Sequence, residues 1–185
     1  MPTTPVTTIV PKTPGLLTRQ ELADLVNVGI NEIPRLLGQF HLMPIEGCFP
    51  VRSVWRQVLG VEPQDDEDAA LLMEQLQPIT WVAAQIGKGS STVRNKLSEG
   101  TFEYPGPIAD LGDPEKTSRS RRWLPAQIRA ARRGDAVPTF RAVEPLRPEV
   151  EASAEPASEP APEAVNNAFA EILRLNAENS RQRRK

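Results

Sequence analysis

Cysteine and histidine are almost absent from this chain, which contains only Cys48 and His41. A single cysteine excludes an internal disulfide and predicts a reducing compartment. One cysteine and one histidine are too few ligands for a structural zinc site. The sequence also has no convergent His/Asp/Glu set, no glycine-rich phosphate loop and no metal-ligand spacing. We interpret the acidic run Asp65–Asp68 as a solvated spacer. The sequence therefore predicts a protein that is not an enzyme, with no metal, no other cofactor and no small-molecule substrate.

Long apolar runs are also missing. No stretch is long enough to cross a membrane, and no basic-then-apolar leader opens the sequence. We therefore expect no membrane partner and a location in the cytoplasm or nucleoid of a bacterial host cell. Apolar residues make up only 39% of the chain, whereas 19 residues are proline. The Pro-, Thr-, Glu- and Ala-rich stretches cannot bury enough apolar surface to fold, which predicts a disordered N-terminal arm and a disordered acidic linker.

A passage that occurs twice, 60 positions apart, is the strongest positive signal in the sequence. Residues 21–37 align without a gap on residues 81–97. Both copies carry an apolar residue followed by alanine, an apolar residue before a turn, a glycine in the turn and an apolar anchor in a second helix. The paired positions are Leu22 and Val82, Ala23 and Ala83, Val26 and Ile86, Gly29 and Gly89, and Ile33 and Val93. This layout is typical of a helix-turn-helix, whose second helix enters a DNA groove.

Local signals set the expected ends of these helices. Thr18 and Glu21 predict a capping box at the start of the first helix. Asn27 and Gly29 predict the turn, with the glycine at positive φ. Asn31 is expected to cap the second helix of the first copy. In the second copy, the expected cap is Ser90 or Ser91.

The predicted fold is mainly α, with two small winged helix-turn-helix units that carry short β wings. The predicted segments are a disordered arm at 1–15, a first unit at 16–60, an acidic linker with a connecting helix at 61–78, a second, basic unit at 79–133, a disordered acidic Pro/Ala/Glu linker at 134–163 and a C-terminal helix with a basic end at 164–185. A unit of about 45 residues is too small to be very stable alone. We therefore expect the two units to pack together or to pair with a second chain.

Charge separates the two units. Residues 79–133 contain ten Lys and Arg side chains against five acids, whereas residues 16–59 contain four of each. Only the second unit therefore carries the excess positive charge that a phosphate backbone attracts.

The motifs of both units resemble the excisionase and MerR-type winged helix-turn-helix family. In the first unit the resemblance rests on Thr18-x-x-Glu21-Leu22-Ala23, Asn27-Val28-Gly29, Ile33-Pro34-Arg35-Leu36 and Pro50. In the second unit it rests on Ile79-Thr80-x-Val82-Ala83, Ser91-Thr92-Val93-Arg94-x-Lys96-Leu97, Glu99-Gly100 and Arg121-Arg122-Trp123-Leu124-Pro125. Together these motifs cover about 100 of the 185 residues. The resemblance implies DNA binding, with the second helix in the major groove and the wing along the backbone or the minor groove. The first unit departs from the pattern at Pro34, where a recognition helix usually exposes polar side chains.

The second unit carries the predicted DNA-binding residues on its turn, its second helix and its wing. They are Lys88, Ser90, Ser91, Thr92, Arg94, Asn95, Lys96, Lys116, Arg119, Arg121 and Arg122. Arg94 and Asn95 are the expected base contacts, because arginine can take guanine and asparagine adenine in bidentate fashion. Lys88 and Lys96 are expected on phosphates. In the first unit, Asn31, Arg35 and Arg52 are either secondary DNA contacts or packing and dimerisation residues.

Large apolar side chains other than the paired positions of the repeat have two expected uses. Trp55 and Trp81 are predicted to lie in the core or between the repeats, and Trp123 to lie in the core where Phe49 lies in the first unit. Helical spacing in the C-terminal segment predicts a partner-binding stripe, used by a homo-oligomer or by another protein. Its residues are Phe169, Ile172 and Leu173.

Two functions remain open at this stage. The first is a sequence-specific double-stranded DNA-binding protein, a transcriptional regulator or excisionase-like factor that contacts DNA mainly with the second repeat. The alternative is a small terminase subunit of a phage, which marks DNA for packaging. In both cases the predicted partner is double-stranded DNA.

Overall fold

The computed structural model describes residues 6–112 and 120–144, all of which lie in the compact unit Met1–Arg147. Of these residues, 45% are helical and 15% lie in strands or bridges. The fold is therefore mixed α/β, and the expected mainly α class is corrected, because in each repeat a short strand before the two helices pairs with a strand after them. The C-terminal helix at 164–185 and most of the acidic linker lie outside the described residues.

Short helices alternate with strands of two or three residues. The helices are α1 (Arg19–Val26), α2 (Ile33–Gln39, after a 3-10 turn at Ile30–Glu32), α3 (Val51–Val54, continued by a π turn at Trp55–Leu59), α4 (Asp66–Leu72), α5 (Ile79–Gln85), α6 (Ser90–Ser98) and α7 (Pro125–Arg133). The strands are β1 (Leu16–Leu17), β2 (Phe49–Pro50), β3 (Val61–Glu62), β4 (Gln77–Pro78), β5 (Ala109–Asp110), β6 (Arg121–Trp123) and β7 (Arg141–Ala142). None of the helices in this part of the chain has the length and apolarity that a membrane crossing requires.

Strand pairing repeats with the sequence. β1 pairs antiparallel with β2, and Leu17 lies opposite Phe49. β4 pairs antiparallel with β6, and Gln77 lies opposite Trp123. Leu17 and Gln77 are equivalent positions of the repeat, so Phe49 and Trp123 are equivalent as well. Trp123 has no exposed surface, which confirms its predicted place in the core.

The capping box at the start of α1 is present as predicted. The Thr18 hydroxyl accepts a hydrogen bond from the backbone N–H of Glu21 (3.2 Å). The Glu21 carboxylate accepts one from the backbone N–H of Thr18 (2.8 Å) and another from that of Lys12 (3.0 Å). The bond from Thr18 lowers the pKa of Glu21 below its ordinary value and outweighs burial, which acts in the opposite direction.

The turn between the two helices differs from the prediction in both repeats. Asn27 and its equivalent Gly87 hold the left-handed conformation, with φ of 55° and 65°. Gly29 and Gly89 have φ of −67° and −77° and stand at the N-caps of the following helical segments. Asparagine tolerates the left-handed region because its short polar side chain can bond locally. Here the Asn27 side-chain amide donates to the carbonyl of Leu76 (3.0 Å).

The expected side-chain caps of the second helices are also corrected. Neither the 3-10 turn that precedes α2 nor α6 has a side-chain hydrogen bond at its N-cap. Because glycine takes the N-cap position, Asn31, Ser90 and Ser91 all lie one or two residues inside the helical segments.

The two repeats pack together, as expected, on opposite sides of one stretch of chain. Leu124 and Ala126 belong to a first core formed by the first repeat and α4. Trp123 and Ile128 belong to a second core formed by α5 and α6. The junction of β6 and α7 is therefore a wall shared by both cores. Both remaining tryptophans lie as predicted: Trp81 is buried in the second core, and partly buried Trp55 packs on the first.

Parts of the two segments predicted to be disordered are ordered, which corrects the prediction for residues 6–15 and 134–144. In the N-terminal segment, the backbone N–H of Ile9 donates to the carbonyl of Met73 (2.9 Å). In the second segment, β7 pairs antiparallel with β3. Ile9 and Phe140 both pack against the first core. Composition alone did not predict this order, because the order depends on backbone hydrogen bonds to residues 61–78 as well as on a few apolar contacts.

Candidate nucleic-acid interface

In the second repeat, one face of α6 is apolar and buried, and the opposite face is polar and exposed. Val82 and Ala83 of α5 and Val93 of α6 are buried, so α6 is held against α5. On the opposite side of α6, Ser91, Thr92 and Asn95 are exposed. These positions are spaced as i, i+1 and i+4, which places them on one face of a helix. The predicted recognition helix is thus open to solvent along its polar face.

The other predicted residues of this helix lie at its flanks. Lys88, in the turn, is exposed, whereas Ser90, Arg94 and Lys96 are half-buried. The Nε atom of Arg94 is buried and has no hydrogen-bond partner among the described residues. Arg94 can therefore reach a ligand only with the end of its guanidinium group.

The predicted wing of the second unit, residues 101–123, begins directly after this helix in the sequence. Gly100 takes the left-handed conformation (φ 68°) that ends α6, and the backbone N–H of Thr101 donates to the carbonyl of Lys96 (2.8 Å). Phe102 and Tyr104 then pack on the second core, with their ring centroids 5.7 Å apart. Glu103, between them, is exposed and lies 3.2 Å from the Nζ of Lys96.

The base of the wing is held by a small polar cluster. The Ser120 hydroxyl donates to the Asp110 carboxylate (2.7 Å), and the backbone N–H of Gly112 donates to the same oxygen (3.1 Å). Arg121 lies 3.5 Å from the other carboxylate oxygen. Burial would raise the pKa of Asp110, but these hydrogen bonds and the charge of Arg121 lower it overall. Arg121 remains partly exposed at the wing, as a DNA contact there requires.

Arg122 differs from its predicted place on a DNA-facing wing. Its Nε donates to the carbonyl of Val26 (3.1 Å), and its Nη2 donates to the carbonyl of Asn27 (3.1 Å). These carbonyls end α1, where a cation is also favoured by the helix dipole. Burial lowers the pKa of Arg122, yet the guanidinium remains charged at any ordinary pH. We correct the prediction accordingly: Arg122 joins the second wing to the first repeat.

The first repeat offers a different surface at the equivalent positions. Asn31 is exposed in the 3-10 turn. Exposed Arg35 pairs with Glu32 (3.1 Å). Arg52, far from α2 in sequence, pairs with buried Glu62 (2.8 Å). Arg35 also donates to the Oε1 of Gln39 (2.8 Å), whose amide donates to the carbonyl of Gly112 at the base of the second wing (2.7 Å). Arg35 thus reaches the second wing indirectly, and within the described structure none of the three residues is hydrogen-bonded to α6.

Several predicted residues lie outside the described part of the chain. These are Lys116 and Arg119 of the wing, and Phe169, Ile172 and Leu173 of the C-terminal segment. Sequence analysis counted Glu103 only in the charge balance of the second unit and predicted no role for it. The alternation of apolar, charged and apolar residues at positions 102–104, directly after a helix-ending glycine, could have indicated that this acid faces outward.

The described part of the second unit retains an excess of positive charge. Residues 79–112 and 120–133 contain eight Lys and Arg side chains against three acids. Lys96, Arg121, Arg129 and Arg133 are each within ion-pair distance of an acid. No acid of the described residues pairs with Lys88 or Arg94. Lys88 and Arg94, which flank the polar face of α6, thus remain available to an anionic ligand, whereas Lys96 on the same helix is paired with Glu103.

The chain matches no family model, no curated protein and no solved structure. The described residues also bring together no three His, Cys, Asp or Glu side chains that could hold a metal ion.

Proposed function

We propose that this protein binds double-stranded DNA in a sequence-specific manner through α6, and that it acts as a transcriptional regulator or excisionase-like factor. The observation that carries the proposal is the exposed face of Ser91, Thr92 and Asn95, on a helix whose other side is fixed in the core. A helix presented in this way can enter the major groove, which is wide enough to admit it. The excess of basic residues around it supports the same function.

The proposed contacts divide into base and phosphate contacts. Asn95 is the best-placed base contact, since its amide is exposed and matches the N6 and N7 atoms of adenine. Arg94 would contact a guanine with the end of its side chain. Lys88, Lys96 and Arg121 would contact phosphates, as would two wing residues outside the described part. These two residues are Lys116 and Arg119.

The sharpest test compares Asn95 with its equivalent in the first repeat, Arg35. Sequences bound by the wild-type protein are first selected from a random pool of duplex DNA. Asn95→Ala should then weaken binding to the selected duplex by about 1–3 kcal/mol and relax the preference at one base pair. Arg35→Ala should leave that preference unchanged, because Arg35 reaches only the base of the second wing, through Gln39, and is not bonded to α6.

Two results would count against this assignment. An unchanged base preference in Asn95→Ala would remove Asn95 from the base contacts. An equal change in Arg35→Ala would show that the first repeat contacts bases as well. Circular dichroism and thermal unfolding of both variants check that each remains folded. Because both side chains are exposed, neither substitution should disturb the core.

A further inference from the structure

We infer that Glu103 is an electrostatic competitor of the DNA phosphates, which holds Lys96 and lowers the affinity of α6 for duplexes of any sequence. The inference rests on the proposed function of α6. It concerns a residue that the DNA-binding motif does not include.

The geometry places Glu103 among the proposed DNA contacts. A cleft of about 60 Å³ separates α6 from the first residues of the wing. Lys88, Thr92 and Lys96 line it from the helix side, and Glu103 lines it from the wing side. Glu103 is the one acid among the described residues that line this cleft. Three groups suited to a phosphate therefore share a cleft with a single carboxylate.

Glu103 is held in this position by its neighbours. Phe102 and Tyr104 both pack on the second core, so the backbone between them is fixed and the side chain of Glu103 points away from that core. The hydrogen bond from Thr101 N–H to the Lys96 carbonyl ties the same segment to the end of α6. The carboxylate thus remains beside Lys96, whose Nζ is 3.2 Å away.

The solvent exposure of the two side chains determines how easily this ion pair can be broken. The side chain of Lys96 is 38% exposed and that of Glu103 is 76% exposed. Exposed ion pairs contribute little to stability, so a phosphate can displace the carboxylate without disturbing the fold. Binding to any duplex must therefore break the Lys96–Glu103 ion pair before Lys96 can contact a phosphate. This cost does not depend on the base sequence, so it weakens non-specific binding as much as specific binding.

The experiment measures affinity for a random-sequence duplex and for the selected duplex, at several salt concentrations. Glu103→Gln should tighten binding to both by about two- to five-fold, the range that a surface ion pair allows. The slope of log K against log salt should become steeper by up to about 0.9, because Lys96 then neutralises its phosphate without leaving an unpaired carboxylate that takes up a cation from the salt. Glu99→Gln is the matched control. Glu99 is an exposed acid at the end of the same helix that does not line the cleft, so its effect should be smaller.

A double-mutant cycle with Lys96→Met shows whether the effect passes through the ion pair. Glu103→Gln should have a much smaller effect in the Lys96→Met background than in the wild type. Equal effects in both backgrounds would overturn the inference, as would equal effects of Glu103→Gln and Glu99→Gln. Weaker binding of Glu103→Gln to the selected duplex alone would overturn it too, because Glu103 would then be a base contact. If the wild type binds no duplex at low salt, the proposed function itself has failed.

Discussion

At the scale of single residues, Glu21 joins the start of α1 to the segment that precedes it. Its carboxylate accepts hydrogen bonds from the backbone N–H groups of Thr18 and Lys12, so it joins the cap of α1 to the N-terminal segment. Without Glu21, the backbone N–H of Thr18 would have no hydrogen-bond partner at the start of the helix. A buried acid is tolerated here because it is paired in this way.

The capping box leads to a prediction about stability and pH. The pKa of Glu21 is lower in the folded protein than in the unfolded chain, so its carboxylate stabilises the fold above the unfolded pKa. That contribution is lost as the pH falls through the folded pKa. Glu21→Gln should lower the free energy of unfolding at pH 7 by about 0.5–1.5 kcal/mol, because glutamine keeps only one of the two acceptor oxygens, and the difference should shrink below about pH 4.

Urea denaturation at several pH values measures this effect. Glu46→Gln is the control, because Glu46 is exposed in a hairpin turn and should change stability little at any pH. A constant difference between Glu21→Gln and the wild type from pH 7 to pH 3 would contradict the assignment of the stabilisation to the ionised carboxylate.

At the scale of elements, the turn between the two helices of each repeat depends on one left-handed residue, which is Asn27 in the first repeat and Gly87 in the second. The glycine that the two copies share stands two positions later and has an ordinary negative φ. The shared glycine therefore marks the start of the next helical segment and not the bend itself.

Two substitutions to serine in the second repeat should have opposite effects. Gly87→Ser should lower the free energy of unfolding by about 1–2 kcal/mol, because an L-residue is strained at φ 65°. Gly89→Ser should raise it by a few tenths of a kcal/mol, because serine is a better N-cap than glycine. A side chain has room at position 89, where an added Cβ would meet only ordinary contacts with Ser91 and Thr92. Thermal or urea unfolding checks both variants. Greater damage from Gly89→Ser than from Gly87→Ser would contradict the turn geometry described here.

The structure could be predicted from the sequence where the signal is local or periodic. The capping box at Thr18, the anchor at Val93 and the equivalence of Phe49 with Trp123 all follow from short-range patterns, and the structure confirms them. Contacts between distant segments could not be predicted in this way. The bonds from Arg122 to α1 and the pairing of β7 with β3 join positions about 80–95 residues apart. Nothing in local composition indicates which distant partner such groups have.

At the scale of the whole molecule, the two repeats are similar in fold but differ in surface. The first repeat is neutral in charge and is tied to the second wing by Arg122. A second tie joins the side-chain amide of Gln39 in α2 to the carbonyl of Gly112 (2.7 Å). We propose that the first repeat supports the wing of the second, while α6 of the second repeat contacts DNA. A regulator of this kind should be a monomer or dimer, whereas a packaging subunit would form a larger ring.

The most direct test of this account is the affinity of the purified full chain for double-stranded DNA as a function of salt, measured by fluorescence anisotropy. If about five Lys and Arg side chains meet phosphates, log K should fall with log salt at a slope of about −4 to −5. A slope near zero, or no binding to duplex DNA at low ionic strength, would contradict the claim that α6 and its wing form a DNA-binding surface.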